Sequence, residues 1–254
     1  MVIYGLNPVL EALRGGHVTA LTVSRRRQGR LDELLRLAER GRVEVRRAEP
    51  DELNRLASGG VHQGVVATIR PPEPRAVRDL VEGGAPALIV VLDGIEDPHN
   101  LGAIARTAEA AGASGLVVPT RRAAPLTAAA VKASAGALAH LPVAPVVNVA
   151  RALAELRSAG VWTVGLDAEA PRTIYEIDLR VPVALVVGGE GRGLRHLVRE
   201  GCDWLAALPL AGRLDSLNAS VAAGIALFEA VRQRRPPSHP DRNAQPRSTS
   251  SRVR

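Results

Sequence analysis

The stretch Leu208-Pro209-Leu210-Ala211-Gly212-Arg213-Leu214-Asp215-Ser216-Leu217-Asn218-Ala219-Ser220-Val221 joins two kinds of pattern and decides how the chain is read. Before it, Trp204 to Leu210 is an apolar run short enough for a buried strand. After it, small and apolar residues continue as a helix to about Arg235, with Gly212 permitting a turn and Asp215 or Ser216 placed to cap the free helix amides. Ser216, Asn218 and Ser220 set two hydroxyls and an amide within one turn, while Ala219, Ala222, Ala223 and Gly224 let another backbone approach closely. Two readings stay open here: a well-capped, alanine-rich core helix, or a loop that holds a small polar ligand.

Upstream of this stretch the pattern is that of an α/β protein. From Ala87 onward, near-continuous apolar runs at Leu88–Leu92, Leu116–Val118, Val161–Leu166, Ala184–Val187 and Trp204–Leu208 alternate with helical stretches at Pro98–Ala111, Thr127–Leu138, Val149–Ala159 and Leu194–Glu200. Unalternating strands suit a parallel sheet covered on both faces. Gly112 and Gly160 stand where helix C-terminal caps are expected. Residues 1–70 form a smaller α/β unit, with helices at Leu6–Leu13 and Leu31–Arg40 and strands at Ala20–Ser24, Val43–Arg47 and Val65–Ile69. Residues 71–86, with Pro71-Pro72-Glu73-Pro74 and Gly83-Gly84-Ala85-Pro86, read as a linker, so the larger unit spans 87–235. The segment 236–254, rich in Pro, Ser and Arg, reads as a disordered basic tail.

The charge is distributed unevenly. The net charge of +7 divides into +4 over residues 1–75, −3 over 76–231 and +6 over 232–254. Positive ends around a slightly acidic middle suit a polyanionic partner, nucleic acid first. Of the 33 basic residues only Lys132 is not arginine, a bias that genomic composition also produces. The run Arg25-Arg26-Arg27 is equally a solvated loop or an RNA contact. With aromatics at 2%, a base-stacking platform is not expected, and RNA contacts would rest on arginine and backbone amides. A single cysteine, Cys202, excludes an internal disulfide and a zinc cluster and reads as an inert core thiol. The histidines lack ligand spacing, so no metal is expected; no run spans a bilayer, and the N-terminus lacks a signal-peptide pattern, so no membrane partner is expected and the cytoplasm is the expected location.

Two further stretches bear on chemistry. Gly188-Gly189-Glu190-Gly191-Arg192-Gly193-Leu194 follows a strand, yet it fails the dinucleotide pattern because His196 occupies the third glycine position. Glu190 would repel a pyrophosphate; an acidic, glycine-rich loop suits a positively charged ligand better. In Asp97-Pro98-His99-Asn100-Leu101-Gly102-Ala103-Ile104-Ala105-Arg106, Asp97 is a good N-cap and Pro98 a good first-turn residue. Arg106, amid Ala and Ile expected in the core, wants an anionic partner, either a structural ion pair or a phosphate of the substrate. Ser216 has no nucleophile-elbow pattern, which argues against a hydrolase.

Together, Asn100 to Thr107, Val186 to Leu194 and Leu208 to Ala222 resemble, in order, the three motifs of the SpoU family of RNA ribose 2′-O-methyltransferases, also called the TrmH family. Tyr4-Gly5-Leu6-Asn7-Pro8-Val9 and His62-Gln63-Gly64-Val65 resemble the substrate-binding domain attached to its ribosomal members. The resemblance implies a C-terminal parallel-sheet domain with a deep trefoil knot, a homodimer, and S-adenosylmethionine as cofactor. It places Gly188, Leu208 and Leu217 against that cofactor with Asn218 nearby, and Asn100, Arg106, Glu190, Ser216 and Asn218 at the catalytic centre. The implied substrate is RNA, a guanosine ribose of 23S ribosomal RNA. Within the family, a transfer RNA or a resistance-type ribosomal target is the alternative; outside it, a non-catalytic RNA-binding factor or a dinucleotide oxidoreductase.

Overall fold

A computed structural model describes residues 1–25, 31–70, 73–83, 85–125 and 127–235. The rest of the basic run, Pro71-Pro72 of the linker and the tail at 236–254 lie outside the described residues. The first unit contains β1 (Val2–Tyr4), α1 (Leu6–Arg14), β2 (Val18–Ser24), α2 (Leu31–Arg40), β3 (Glu44–Ala48), α3 (Pro50–Leu56) and β4 (Val65–Ile69). Its sheet runs β1-β4-β2-β3, with β4 antiparallel to both neighbours and β2 parallel to β3. β1 and α3, three and seven residues long, are too short to show a period, and the sequence reading missed both.

The second unit follows a 3-10 turn at Val77–Leu80 and comprises β5 (Leu88–Asp93), α4 (Pro98–Ala110), β6 (Gly115–Pro119), α5 (Ala128–Ala133), β7 (Val143–Val146), α6 (Val149–Ser158), β8 (Trp162–Leu166), β9 (Val183–Gly188), α7 (His196–Glu200), β10 (Trp204–Ala206) and α8 (Ala219–Arg234). All six strands are parallel in the order β10-β8-β9-β5-β6-β7. The continuous apolar runs are explained by double coverage. Leu88, Val90 and Leu92 enter one core with residues of α4 and α8, whereas Ile89 and Val91 enter a second with Ala152, Leu153 and Leu156 of α6. Each such buried leucine or isoleucine contributes on the order of 1.5–3 kcal/mol of apolar burial.

Three expectations are corrected. β7 escaped notice because Pro145 sits within it; the strand pairs only with β6 at the sheet edge, where a missing N–H is tolerated. The helix expected over Thr127–Leu138 stops at Ala133, because Ala135 and Gly136 take left-handed φ values of 51° and 98°, and a separate 3-10 turn follows at Ala137–Ala139. The cap of α8 is neither Asp215 nor Ser216 but Asn218, whose Oδ1 accepts from the Ser220 N–H at 2.9 Å and the Val221 N–H at 3.3 Å. Gly112 and Gly160 do stand just beyond α4 and α6 at φ values of 71° and 79°.

The two units are joined by packing. The larger core runs through both, and the Lys132 ammonium of α5 lies 4.8 Å from the ring centroid of Tyr4 on β1. His17 and His140 meet edge to face across the same junction at 6.1 Å. Gln63, from the stretch before β4, accepts the Leu6 N–H at 3.0 Å and so satisfies an open amide at the start of α1. At the far end, the Arg234 guanidinium of α8 donates to the carbonyls of Leu179, Pro86, Ala87 and Val181 at 2.8 to 3.0 Å.

Candidate functional site

The C-terminal ends of β5 and β9 and the N-terminal ends of α4 and α8 converge, and three side chains far apart in sequence meet there. Asn218 Nδ2 donates to Asn100 Oδ1 and to Glu190 Oε1, each at 3.0 Å, while Asn100 Nδ2 donates to the same Glu190 oxygen. Asn100, 7% exposed, therefore has both side-chain functions satisfied, as a buried amide must. The local sequence sets each member. Asp97 caps α4 through the His99 N–H at 2.8 Å, which places Asn100 in the first turn; Asn218 is itself the α8 cap. Glu190 sits in the glycine loop after β9. No donor among the described residues reaches its Oε2.

That glycine loop is folded tightly on itself. A β-carbon on Gly188 would overlap the backbone of Gly193, and one on Gly189 would overlap the Gly94 carbonyl. The space beside these two glycines is thus filled by the protein's own backbone rather than left open to a ligand. Gly191 and Gly193 at φ 77° and 61° complete the turn.

An ion pair missed by sequence reasoning fixes the loop's far end. Asp93, with a fully buried side chain at the end of β5, accepts the Arg195 backbone N–H at 2.8 Å and Arg195 Nε at 2.6 Å, and also pairs with its Nη2. The signal available was a lone carboxylate ending an apolar strand, but its partner lies 102 residues away. Asp93, Glu96, Asp97, Asn100, Glu190 and Arg195 line a cleft of about 590 Å³, together with Arg122 and Arg192.

Two of the expected site residues stand outside the cluster. Arg106 is exposed, not buried among the core residues of α4, and makes no ion pair among the described residues. Six residues beyond Asn100 on a 3.6-residue helix, it points about a third of a turn away. It lines a different cavity, of about 380 Å³, with Asn7, Glu11 and Arg14 of α1, and Glu109. Ser216 is exposed and its hydroxyl lies 3.4 Å from Asp215. Of the residues expected at a cofactor, Leu208 is half-buried against the core and Leu217 is 39% exposed.

Asp167 and Cys202 are structural. Asp167, at the end of β8, holds Arg199 Nε at 2.5 Å; burial works to raise its pKa, and the Arg199 pair and the Glu169 N–H outweigh it. Burial and the carboxylates of Asp203 and Asp93 push the Cys202 thiol up to about 12, so it is inert at neutral pH. Among the described residues, no group of three His, Cys, Asp or Glu is placed to hold a metal, and no helix is long and apolar enough to cross a membrane.

Comparison with known proteins accounts for both units. Residues 87–228 match the model of the SpoU rRNA Methylase family, and residues 2–75 match that of the RNA 2′-O ribose methyltransferase substrate-binding domain. The chain is 45% identical over 239 residues to a 23S rRNA (guanosine-2′-O-)-methyltransferase RlmB of Xylella fastidiosa, covering 91% of this chain and 96% of that one. It is 41% identical to the putative TrmH family tRNA/rRNA methyltransferase YacO of Bacillus subtilis, over 92% and 96%. The SpoU methyltransferase AviRb of Streptomyces viridochromogenes, solved in complex with AdoMet, superposes with a TM-score of 0.78 at 32% identity, over 92% of this chain and 90% of that one. With both units matched in order and Asn100, Glu190 and Asn218 of the three motifs gathered at one set of strand ends, the chain belongs to the SpoU rRNA methylase family.

Proposed function

We propose that this protein methylates a ribose 2′-hydroxyl in RNA, using S-adenosylmethionine, and that the target is a guanosine of 23S ribosomal RNA. The observation that carries the reading is the Asn100–Glu190–Asn218 cluster, built from three sequence-distant motifs beside a cleft large enough for a nucleotide. The residues fit the cofactor. Leu208 and Leu217 offer apolar surface and the Glu190 carboxylate suits a sulfonium cation, while Gly188 and Asn218, already engaged within the protein, would shape the wall beside it. When bound, S-adenosylmethionine supplies an electrophilic methyl group.

The chain's own residues orient the ribose and manage its proton. Asn100 and Asn218, braced against Glu190 Oε1, fix the geometry, and Glu190 Oε2 is left to accept the hydroxyl proton. Such positioning supplies on the order of 7–11 kcal/mol in favourable cases. Arg106 cannot serve as a base, because a guanidinium resists deprotonation; its role is to hold a phosphate or a developing alkoxide. Since Arg106 lines a separate cavity, it would serve the active centre of a second subunit in a homodimer. Exposed Leu214, Leu217, Val221 and Phe228, on α8 and the loop before it, supply an apolar face for that subunit. Ser216 joins the centre from the same loop. In this reading the chain divides into a substrate-binding domain (1–70), a linker (71–86), a methyltransferase domain (87–235) threaded as a trefoil knot, and a basic tail (236–254). A ribosomal substrate places the protein in the cytoplasm.

The test is methyl transfer from labelled S-adenosylmethionine to unmodified large-subunit rRNA and to bulk tRNA. Label at a guanosine ribose of the rRNA, reduced roughly 100-fold or more by Glu190→Gln and by Arg106→Ala, is the expected outcome. Label in tRNA alone, or none despite cofactor binding, would refute the assignment.

A further inference from the structure

The cleft beside Glu190 contains three arginines, and they are not equivalent. Arg195 is committed to Asp93. Arg122 and Arg192 are exposed and have no hydrogen-bond or carboxylate partner among the described residues, although both line the cleft that holds Asn100 and Glu190. Arg106, the arginine singled out by sequence, does not line this cleft.

Arg122 is also held in an unfavourable backbone state. Its φ of 54° lies in the left-handed region, which an arginine adopts only when its surroundings impose it. The chain is held by hydrogen bonds on either side of it. The Thr120 N–H donates to the Val146 carbonyl at 2.8 Å, and the Ala124 N–H donates to the carbonyl of Ile95, itself part of the cleft wall, at 2.7 Å. Ala124 is buried, so the loop is anchored just beyond Arg122. An unpaired cation on a strained, doubly pinned loop is a feature that local folding does not require.

We infer that Arg122 binds the RNA phosphodiester next to the target ribose, with Arg192 of the glycine loop as a second contact. The inference rests on the reading of this cleft as the seat of the methylated nucleotide. Of the carboxylates in the cleft, Asp93 is neutralised by Arg195 and one oxygen each of Asp97 and Glu190 accepts from an amide; the two unpaired guanidiniums offset part of the charge on Glu96, Asp97 and Glu190 and are the cationic contacts open to a phosphate. A guanidinium fork matches a phosphodiester's paired oxygens.

The experiment measures binding of a target RNA fragment between 50 and 200 mM salt, and methylation kinetics, for wild type, Arg122→Gln and Arg122→Gly. Both variants should raise KM for RNA by about tenfold and lower the slope of log K against log salt by about 0.7–0.9, the share of one phosphate contact. S-adenosylmethionine affinity and kcat at saturating RNA should hold. Arg122→Gly guards against misfolding, since it relieves the backbone strain and should melt no lower than wild type while losing the same contact. An unchanged salt slope in both variants overturns the inference, as does a change confined to discrimination between guanosine and inosine at the target, which would mean a base contact. If wild type neither binds S-adenosylmethionine nor methylates RNA, the reading of the site falls and the inference with it.

Discussion

The buried pair that closes the glycine loop makes an asymmetric prediction. The Asp93 side chain is 0% exposed and the Arg195 side chain 47% exposed, so the two partners are not equally dependent on each other. Arg195→Ala removes both guanidinium contacts and leaves a dry carboxylate holding only the backbone N–H of residue 195, a loss of about 3–5 kcal/mol. Asp93→Ala leaves a guanidinium that turns into water and one open amide, a loss of about 1–3 kcal/mol. With a urea dependence of about 3 kcal/mol per M, the arginine variant should unfold more than about 1 M earlier than wild type, and the aspartate variant less. The double variant should be no less stable than Arg195→Ala alone, because the stranded charge is gone. Urea unfolding followed by circular dichroism at pH 7 reads all three. If Arg195→Ala costs under about 1 kcal/mol, or less than Asp93→Ala, then water reaches Asp93 and the argument from burial fails.

Two other outcomes are expected. Arg234→Ala strips the donors from four carbonyls around the C-terminal end of α8 and should lower stability by at least about 3 kcal/mol, with Arg234→Lys recovering only part because an ammonium lacks the planar fork; equal stability of the two variants in thermal melts would argue against it. Burial, then the nearby His140 charge and Arg70, hold the His17 pKa below 6.5 against an opposing bond to Ala139. The unfolded chain then takes up its proton first, so this contribution is intact above pH 6.5 and is lost as the pH falls through the folded value. His17→Gln should flatten the fall in melting temperature between pH 7.5 and 5, and an unchanged slope would count against the histidine pair.

What could be seen in advance follows from how local each cause was. Leu88–Leu92 and Ala184–Val187 could be placed as central strands because both faces are covered and no polar residue interrupts them. β7 could not, since whether Pro145 is tolerated depends on which strand lies at the edge. Asp97 was legible as a cap because its partner is two residues away, whereas the choice of Asn218 over Asp215 is made by Asn100 and Glu190, distant in sequence. The grouping of Asn100, Glu190 and Asn218 came from motif resemblance, not from any spacing in the chain. The outward aim of Arg106 was legible from helical periodicity, but the small residues around it suggested burial. Arg122 gave no signal at all, because its distinction lies in a backbone angle and in the absence of a partner.

Lys132 is the only lysine in the sequence, and it is held against Tyr4 at the junction of the two units. A protease that cuts only after lysine therefore has a single peptide bond to attack, Lys132–Ala133, inside α5. Lys132 is itself exposed, so that bond is protected by the helical backbone alone, and the rate of this one cleavage is a clock for the opening of α5 in the intact chain.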